Sequence, residues 1–273
     1  MPSLRGSNRR FGPHFCHPAL PMFSTKAYLG RSRVFAVACF LIGFTPALNA
    51  QLAVKGELLL DENFQQHANY TKQPVVLKPG WQALAGHADW ERTPEGVRSV
   101  FKQGHMPVLK IEGEFGDAVI EIDFRYTAEA GRWGGCRVSP TNPKLHPRAY
   151  AASVWANQDN DARARGLVLE HDAWKPGFIT QVDRKPTTFA PDTWYTLRME
   201  LVGNTVLASC NGVEVSGTYE TFGLPKTSLS LGVGTCPHEL RNLRIYAATL
   251  NPAWPKPASP KTNPSAQPLK SPL

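Results

Sequence analysis

The chain has 273 residues with 30 Lys+Arg against 22 Asp+Glu, a formal charge of +8, and five cysteines. The excess of base sits in the first fifty residues, which hold six basic side chains and no acid; beyond them 24 bases face 22 acids. That near-neutral body excludes the basic stripe nucleic-acid binding wants, and no apolar run reaches the roughly twenty residues of a membrane-spanning helix.

Val34 to Phe44, VFAVACFLIGF, is an apolar run of signal-peptide length, preceded by Lys26, Arg31 and Arg33 and followed by Ala47 and Ala50. Residues 1–50 are therefore expected to be a leader, with cleavage after Ala50 as first choice and after Ala47 as second. Met22 is an alternative start. The expected destination is secreted, periplasmic or cell-surface. Cys39 lies within the run, but Ala36 and Phe40-Leu41-Ile42 do not suit a lipoprotein signal.

Residues 51–250 read as one domain of many short strands. Leu58 to Leu60 opens it, and Val97 to Phe101 and Val108 to Glu112 follow. In DAVIEIDFRY, Asp117 to Tyr126, one face carries Ala118, Ile120, Ile122, Phe124 and Tyr126 and the other Val119, Glu121, Asp123 and Arg125. Tyr150–Asn157, Leu167–Glu170 and Phe178–Asp183 are further strand candidates. Trp194 to Val215 reads as three antiparallel strands, because Gly203-Asn204 and Asn211-Gly212 tolerate the positive φ of tight hairpin turns. Leu229–Gly232 and Leu243–Ala247 close the series. No stretch of ten residues shows a helical stripe, so the pattern indicates an all-β sandwich or jelly roll. Residues 251–273 hold seven prolines, which favour extended polyproline conformations over a packed core, and are expected to form a disordered tail, a spacer at the cell surface.

Cys136, Cys210 and Cys236 remain after the leader. In an oxidising compartment two can pair, and the sequence does not choose which. Their spacing is not that of a zinc site, and no metal site is expected from them.

The chemistry-bearing candidates are scattered. Glu121 and Asp123 share a strand face about 6–7 Å apart, within the range of glycosidase carboxylate pairs. Glu170, His171 and Asp172 form a second cluster, which converges only if the chain bends there, and Asp183 lies near the next strand end. Trp155 shares its strand face with Ser153 and Asn157, the mixture of ring and hydrogen-bonding group a sugar site needs. Trp174 and Trp133 sit in expected loops. Asn157, Asp159 and Asp161 alternate as hard oxygen ligands; a polar turn is the first expectation and calcium the alternative, since the glycine and distal glutamate of an EF-hand are missing. Phosphate-cradling glycine loops, a serine nucleophile elbow and an H-E-x-x-H helix are all absent from the sequence.

The meander WYTLRMELVGNTV…NG, the strand FGDAVIEIDFRY and the closing LRNLRIYA resemble the concanavalin A-like lectin/glucanase superfamily over roughly residues 58–248. Within it, the chain looks like the secreted domain called 3-keto-disaccharide hydrolase. The resemblance implies a concanavalin A-like jelly-roll β-sandwich that engages a saccharide or glycan. Glu121 and Asp123 also resemble the first two carboxylates of the laminarinase-type E-x-D-x-x-E signature, with Tyr126 in the last carboxylate position. Members of the nearest family carry N-S-G-x-x-x-R after the DAVIEIDFRY-type strand. Here Gly134-Gly135-Cys136-Arg137 stands there with altered spacing, and Arg137 is the residue carried over, as a substrate-orienting group. Three readings follow. In the first, a glycosidic-bond hydrolase uses carboxylates among Glu121, Asp123, Glu170, Asp172 and Asp183. In the second, a non-catalytic module binds glycan through Arg137, Trp155, Asn157, His171 and Trp174. In the third, the domain is structural and belongs to the cell envelope.

Overall fold

The structure, a computed structural model, describes residues 51–100, 105–129, 132–142, 145, 150–172 and 179–255. The leader expectation, and the tail expectation from residue 256 onward, lie outside these residues. The first strands are β1 (Ala53–Glu62), β2 (Asn69–Tyr70), β3 (Val75–Lys78), β4 (Trp81–His87), β5 (Asp89–Arg92) and β6 (Val97–Val100). Next come β7 (Val108–Phe115), β8 (Ala118–Tyr126), β9 (Gly134–Thr141), β10 (Ser153–Gln158), β11 (Gly166–Asp172) and β12 (Ile179–Lys185). The last are β13 (Tyr195–Val202), β14 (Thr205–Cys210), β15 (Val213–Thr218), β16 (Lys226–Val233) and β17 (His238–Leu250), with a 3-10 turn over Glu220–Gly223.

They form two antiparallel sheets. One has nine strands in the order β15-β14-β13-β8-β17-β6-β5-β2, with β1 also on β17. The other has eight, β12-β11-β10-β9-β16-β7-β4-β3. The long β17 pairs β8 along most of its length, β6 at Glu239 and Leu240, and β1 from Leu243 to Leu250.

Alternation places the core. On β8 the side chains of Ala118, Ile120, Ile122 and Phe124 are fully buried, as the sequence pattern requires, and Leu109, Ile111, Val138, Val154, Leu229 and Leu231 of the eight-stranded sheet join the same core. Each fully buried aliphatic or aromatic side chain contributes roughly 1.5–3 kcal/mol. The meander forms as expected. Gly203 has φ 51°, and Asn211 and Gly212 have φ 51° and 74°, the left-handed conformations those hairpins demand. Cys136, Cys210 and Cys236 are all free and buried, and burial pushes the thiols of Cys210 and Cys236 up to about 12.

Candidate functional site

Core-facing residues alternate on each strand with a second set, which forms the outer face of its sheet. On the eight-stranded sheet, register puts Arg137 of β9 between Trp155 of β10 and Gly232 of β16, with Val168 of β11 beyond Trp155. The neighbouring row runs from Lys110 through Ser230, Ser139 and Ser153 to Glu170. These rows carry the densest chemistry in the described residues.

Arg137 is the centre of it. Its guanidinium lies over the Tyr150 ring at 4.7 Å and the Trp155 ring at 4.9 Å. Nε donates to Ser153 Oγ, and Nη2 to Glu170 Oε2 at 3.4 Å. Ser153 Oγ is in turn 2.9 Å from Ser139 Oγ. The arginine is only 8% exposed, so its charge is largely desolvated and its orientation over-determined by two rings, a hydroxyl and a carboxylate. Trp133 lies against Trp155, ring centroids 5.5 Å apart, and both tryptophans are partly exposed.

The sequence builds this corner with glycine. A Cβ on Gly134 would meet the Tyr126 ring at 2.6 Å, one on Gly135 the Ala156 carbonyl at 2.3 Å, and one on Gly234 the Trp133 carbonyl at 2.2 Å. Gly135 also has φ 124°. Behind them His238, fully buried, accepts the Gly135 N–H through Nε2 at 2.9 Å and donates from Nδ1 to the Cys236 carbonyl at 2.7 Å. Burial pushes this imidazole down to about 4, so it is neutral and holds one tautomer.

The other sequence candidates go elsewhere. Glu121 and Asp123 lie on the outer face of the nine-stranded sheet. Glu121 binds Arg198 at 2.7 Å and Lys55 at 2.8 Å, and Asp123 accepts from Thr196 at 2.7 Å and Asn242 at 2.8 Å. The β8–β13 register is regular through this stretch, so Tyr126 takes core parity and donates to the Phe189 carbonyl at 2.6 Å. The spacing of the glucanase signature is therefore not matched by a third group on the same face. Asp183 ties the two sheets at their edge by accepting the Ser216 N–H of β15 at 3.0 Å.

β11 continues straight through Glu170, His171 and Asp172, so Glu170 faces outward while buried His171 stacks on Tyr219 at 3.7 Å and bonds Thr221. Burial holds the His171 imidazole below its ordinary value. Asn157 donates to the Ala164 carbonyl at 3.0 Å, while Asp159 and Asp161 accept amides two residues on, the polar turn expected first. Among the described residues no group of three or more His, Cys, Asp or Glu is placed to hold a metal ion. Trp174 lies outside the described residues, and for Asp172 only the strand position is described.

Sequence reasoning missed Tyr150 and Ser139. The available signal was the polar alternation Arg137, Ser139, Thr141, which the glycines before it obscure. A groove of about 380 Å³ opens elsewhere on the sheet, lined by Lys78, Trp81, Gln82, Glu112 and Glu114, and shares no residue with the Arg137 cluster. There Lys110, followed by Gln82, holds the Glu112 carboxyl below the usual carboxylate range.

Two antiparallel sheets face to face, with strand order set by long-range pairing, define a concanavalin A-like jelly-roll sandwich. The chain belongs to the family of the 3-keto-alpha-glucoside-1,2-lyase-like domain, whose sequence profile matches residues 77–245. Among solved structures it is similar to a non-specific endo-beta-1,3(4)-glucanase from family GH16, at 9% identity and TM-score 0.51, covering 72% of this chain and 97% of that one. The carbohydrate binding module CBM66 from Bacillus subtilis is similar at 14% identity and TM-score 0.49, over 62% of this chain and 96% of that one. At these identities the likeness is one of fold. No curated protein matches the sequence. No helix among the described residues is long and apolar enough to cross a membrane.

Proposed function

We propose that the protein is exported and engages a saccharide on the outer face of its eight-stranded sheet, around Arg137. The observation that carries this reading is the guanidinium held between Tyr150 and Trp155 with Glu170 beside it. Trp155 and Trp133 supply apolar surface for the C–H face of a pyranose ring, and Arg137 and Glu170 supply a donor and an acceptor for its oxygens.

Within that reading, family membership and the pairing of one carboxylate with one cation favour elimination from a 3-keto-glucoside. Glu170 takes the proton from C2, next to the ketone, and the electron pair becomes an enolate whose oxygen Arg137 stabilises. The C1–O bond then breaks as the enolate collapses, and the departing alkoxide takes the proton back from Glu170, leaving an unsaturated ketosugar and an alcohol. Hydrolysis requires a second carboxylate, and Asp172, two residues along β11 and about 6–7 Å away along the backbone, is the candidate for it.

Incubation of the purified protein with a 3-keto-glucoside and with the parent glucoside separates these. Elimination gives a conjugated, ultraviolet-absorbing product that vanishes in Glu170→Gln and persists in Asp172→Asn. Hydrolysis gives none and needs both carboxylates. Binding abolished by Arg137→Ala without any turnover makes the protein a glycan-binding module. The absence of both removes the saccharide reading and leaves a structural domain of the envelope. Sequencing the amino terminus of the secreted form tests export and the domain start near Gln51.

A further inference from the structure

The row that contains Trp155, Arg137 and Gly232 continues through Val108 of β7 to the end of β4. There the pairing slips. Ala85 opposes Leu109 but His87 opposes Val108, so Gly86 and His87 share one partner as a bulge. Bulges re-aim side chains, and this one brings His87 into step with Val108, three inter-strand spacings, about 14 Å, from Arg137. The next residue, Ala88, is held at φ 63°, a left-handed conformation that costs an L-residue roughly 1–2 kcal/mol.

His105, just before β7, completes the feature. Its imidazole stacks on that of His87, with ring centroids 5.0 Å apart and planes 17° from parallel. Both residues are exposed. Among the described residues neither ring nitrogen has a hydrogen-bond partner, whereas the imidazoles of His67, His171 and His238 are all engaged. Two imidazoles on adjoining chain segments, with unengaged nitrogens and ring torsions open to solvent, are the donors that borderline divalent cations prefer.

We propose that His87 and His105 form a two-imidazole site for a first-row divalent transition cation of the Zn²⁺, Ni²⁺ or Cu²⁺ class. Rotation of each ring about its Cβ–Cγ bond turns one nitrogen toward a shared ion, and water fills the remaining positions, leaving them open to an oxygen ligand. The backbone distortion at Gly86–Ala88 has a function on this account, since it sets His87 beside its partner. The site is independent of the saccharide reading and is read in the absence of sugar.

The test is titration of untagged protein near neutral pH, with Cu²⁺ followed by electron paramagnetic resonance and Zn²⁺ by calorimetry. One saturable equivalent is expected, with nitrogen hyperfine structure from two imidazoles. His87→Ala and His105→Ala should each weaken it by about tenfold or more, and His67→Ala should leave it unchanged. Both target side chains are exposed, so these variants fold. Absence of saturable binding, or binding indifferent to either substitution, overturns the proposal.

Discussion

On the nine-stranded sheet, Glu121 is gripped by Arg198 and Lys55, and Glu239 by Arg98 and Arg125. Arg125 and Arg241 cover Trp194, at 4.7 and 3.9 Å from its ring. On the eight-stranded sheet, one desolvated guanidinium serves two rings, the Ser153 hydroxyl and the Glu170 carboxylate, and the tryptophans beside it stay partly exposed. Both faces use arginine, carboxylate and tryptophan. The difference lies in arrangement: the first face closes its charges into a lattice of several ion pairs with two guanidinium groups over one tryptophan, while the second gathers two tryptophans and a tyrosine around one arginine. Residue type alone does not distinguish the two faces; the arrangement of the residues does.

The comparison breaks first at its support. Gly135→Ala should destabilise the fold by about 3 kcal/mol, because a left-handed backbone and a carbonyl contact must both yield; urea unfolding measures it. His238 gives an effect of similar size through pH. Its folded-state value is about 4 against an ordinary 6.5, so between these values the unfolded chain binds a proton that the folded chain refuses. Stability is therefore complete above pH 6.5 and falls as pH drops toward 4, by roughly 3 kcal/mol in all. A set of urea midpoints across that window should show the slope, and His238→Gln should flatten it.

Smaller effects sharpen the contrast. Arg137→Ala should weaken saccharide binding by about thirtyfold or more, about 2 kcal/mol, in calorimetric titration. Glu121→Gln, on the closed face, should change binding by less than about twofold and cost about 1 kcal/mol of stability, since its ion pairs are partly solvated. Equal losses of binding from the two substitutions would erase the distinction between the faces.

Much of this was legible beforehand, and the failures have physical reasons. The alternation on β8 named its core face, and the Gly203 and Asn211-Gly212 turns named the meander. β9 escaped notice because Gly134, Gly135 and Pro140 all lower strand propensity, yet those glycines are what let the Tyr126 ring and the Ala156 carbonyl approach. Arg137 was reached through family resemblance, not through its strand. For Glu121 and Asp123 the period of two correctly said outward. It does not say which of two outer faces, because that depends on β8 pairing with β13 and β17, strands from the far end of the sequence. Tyr150 was expected inside a strand; it stands ahead of β10 instead and covers Arg137.

β17 spans His238 to Leu250 and is hydrogen-bonded to β8, β6 and β1, which come from the first half of the chain. Until it arrives, β8 lacks one neighbour and β1 has none. During synthesis, then, the ribosome must release about the last strand before the nine-stranded sheet can assemble, and folding cannot run ahead of translation. A nascent chain kept open in this way holds β1 unpaired through nearly the whole of its synthesis, so the first strand made is among the last to be secured.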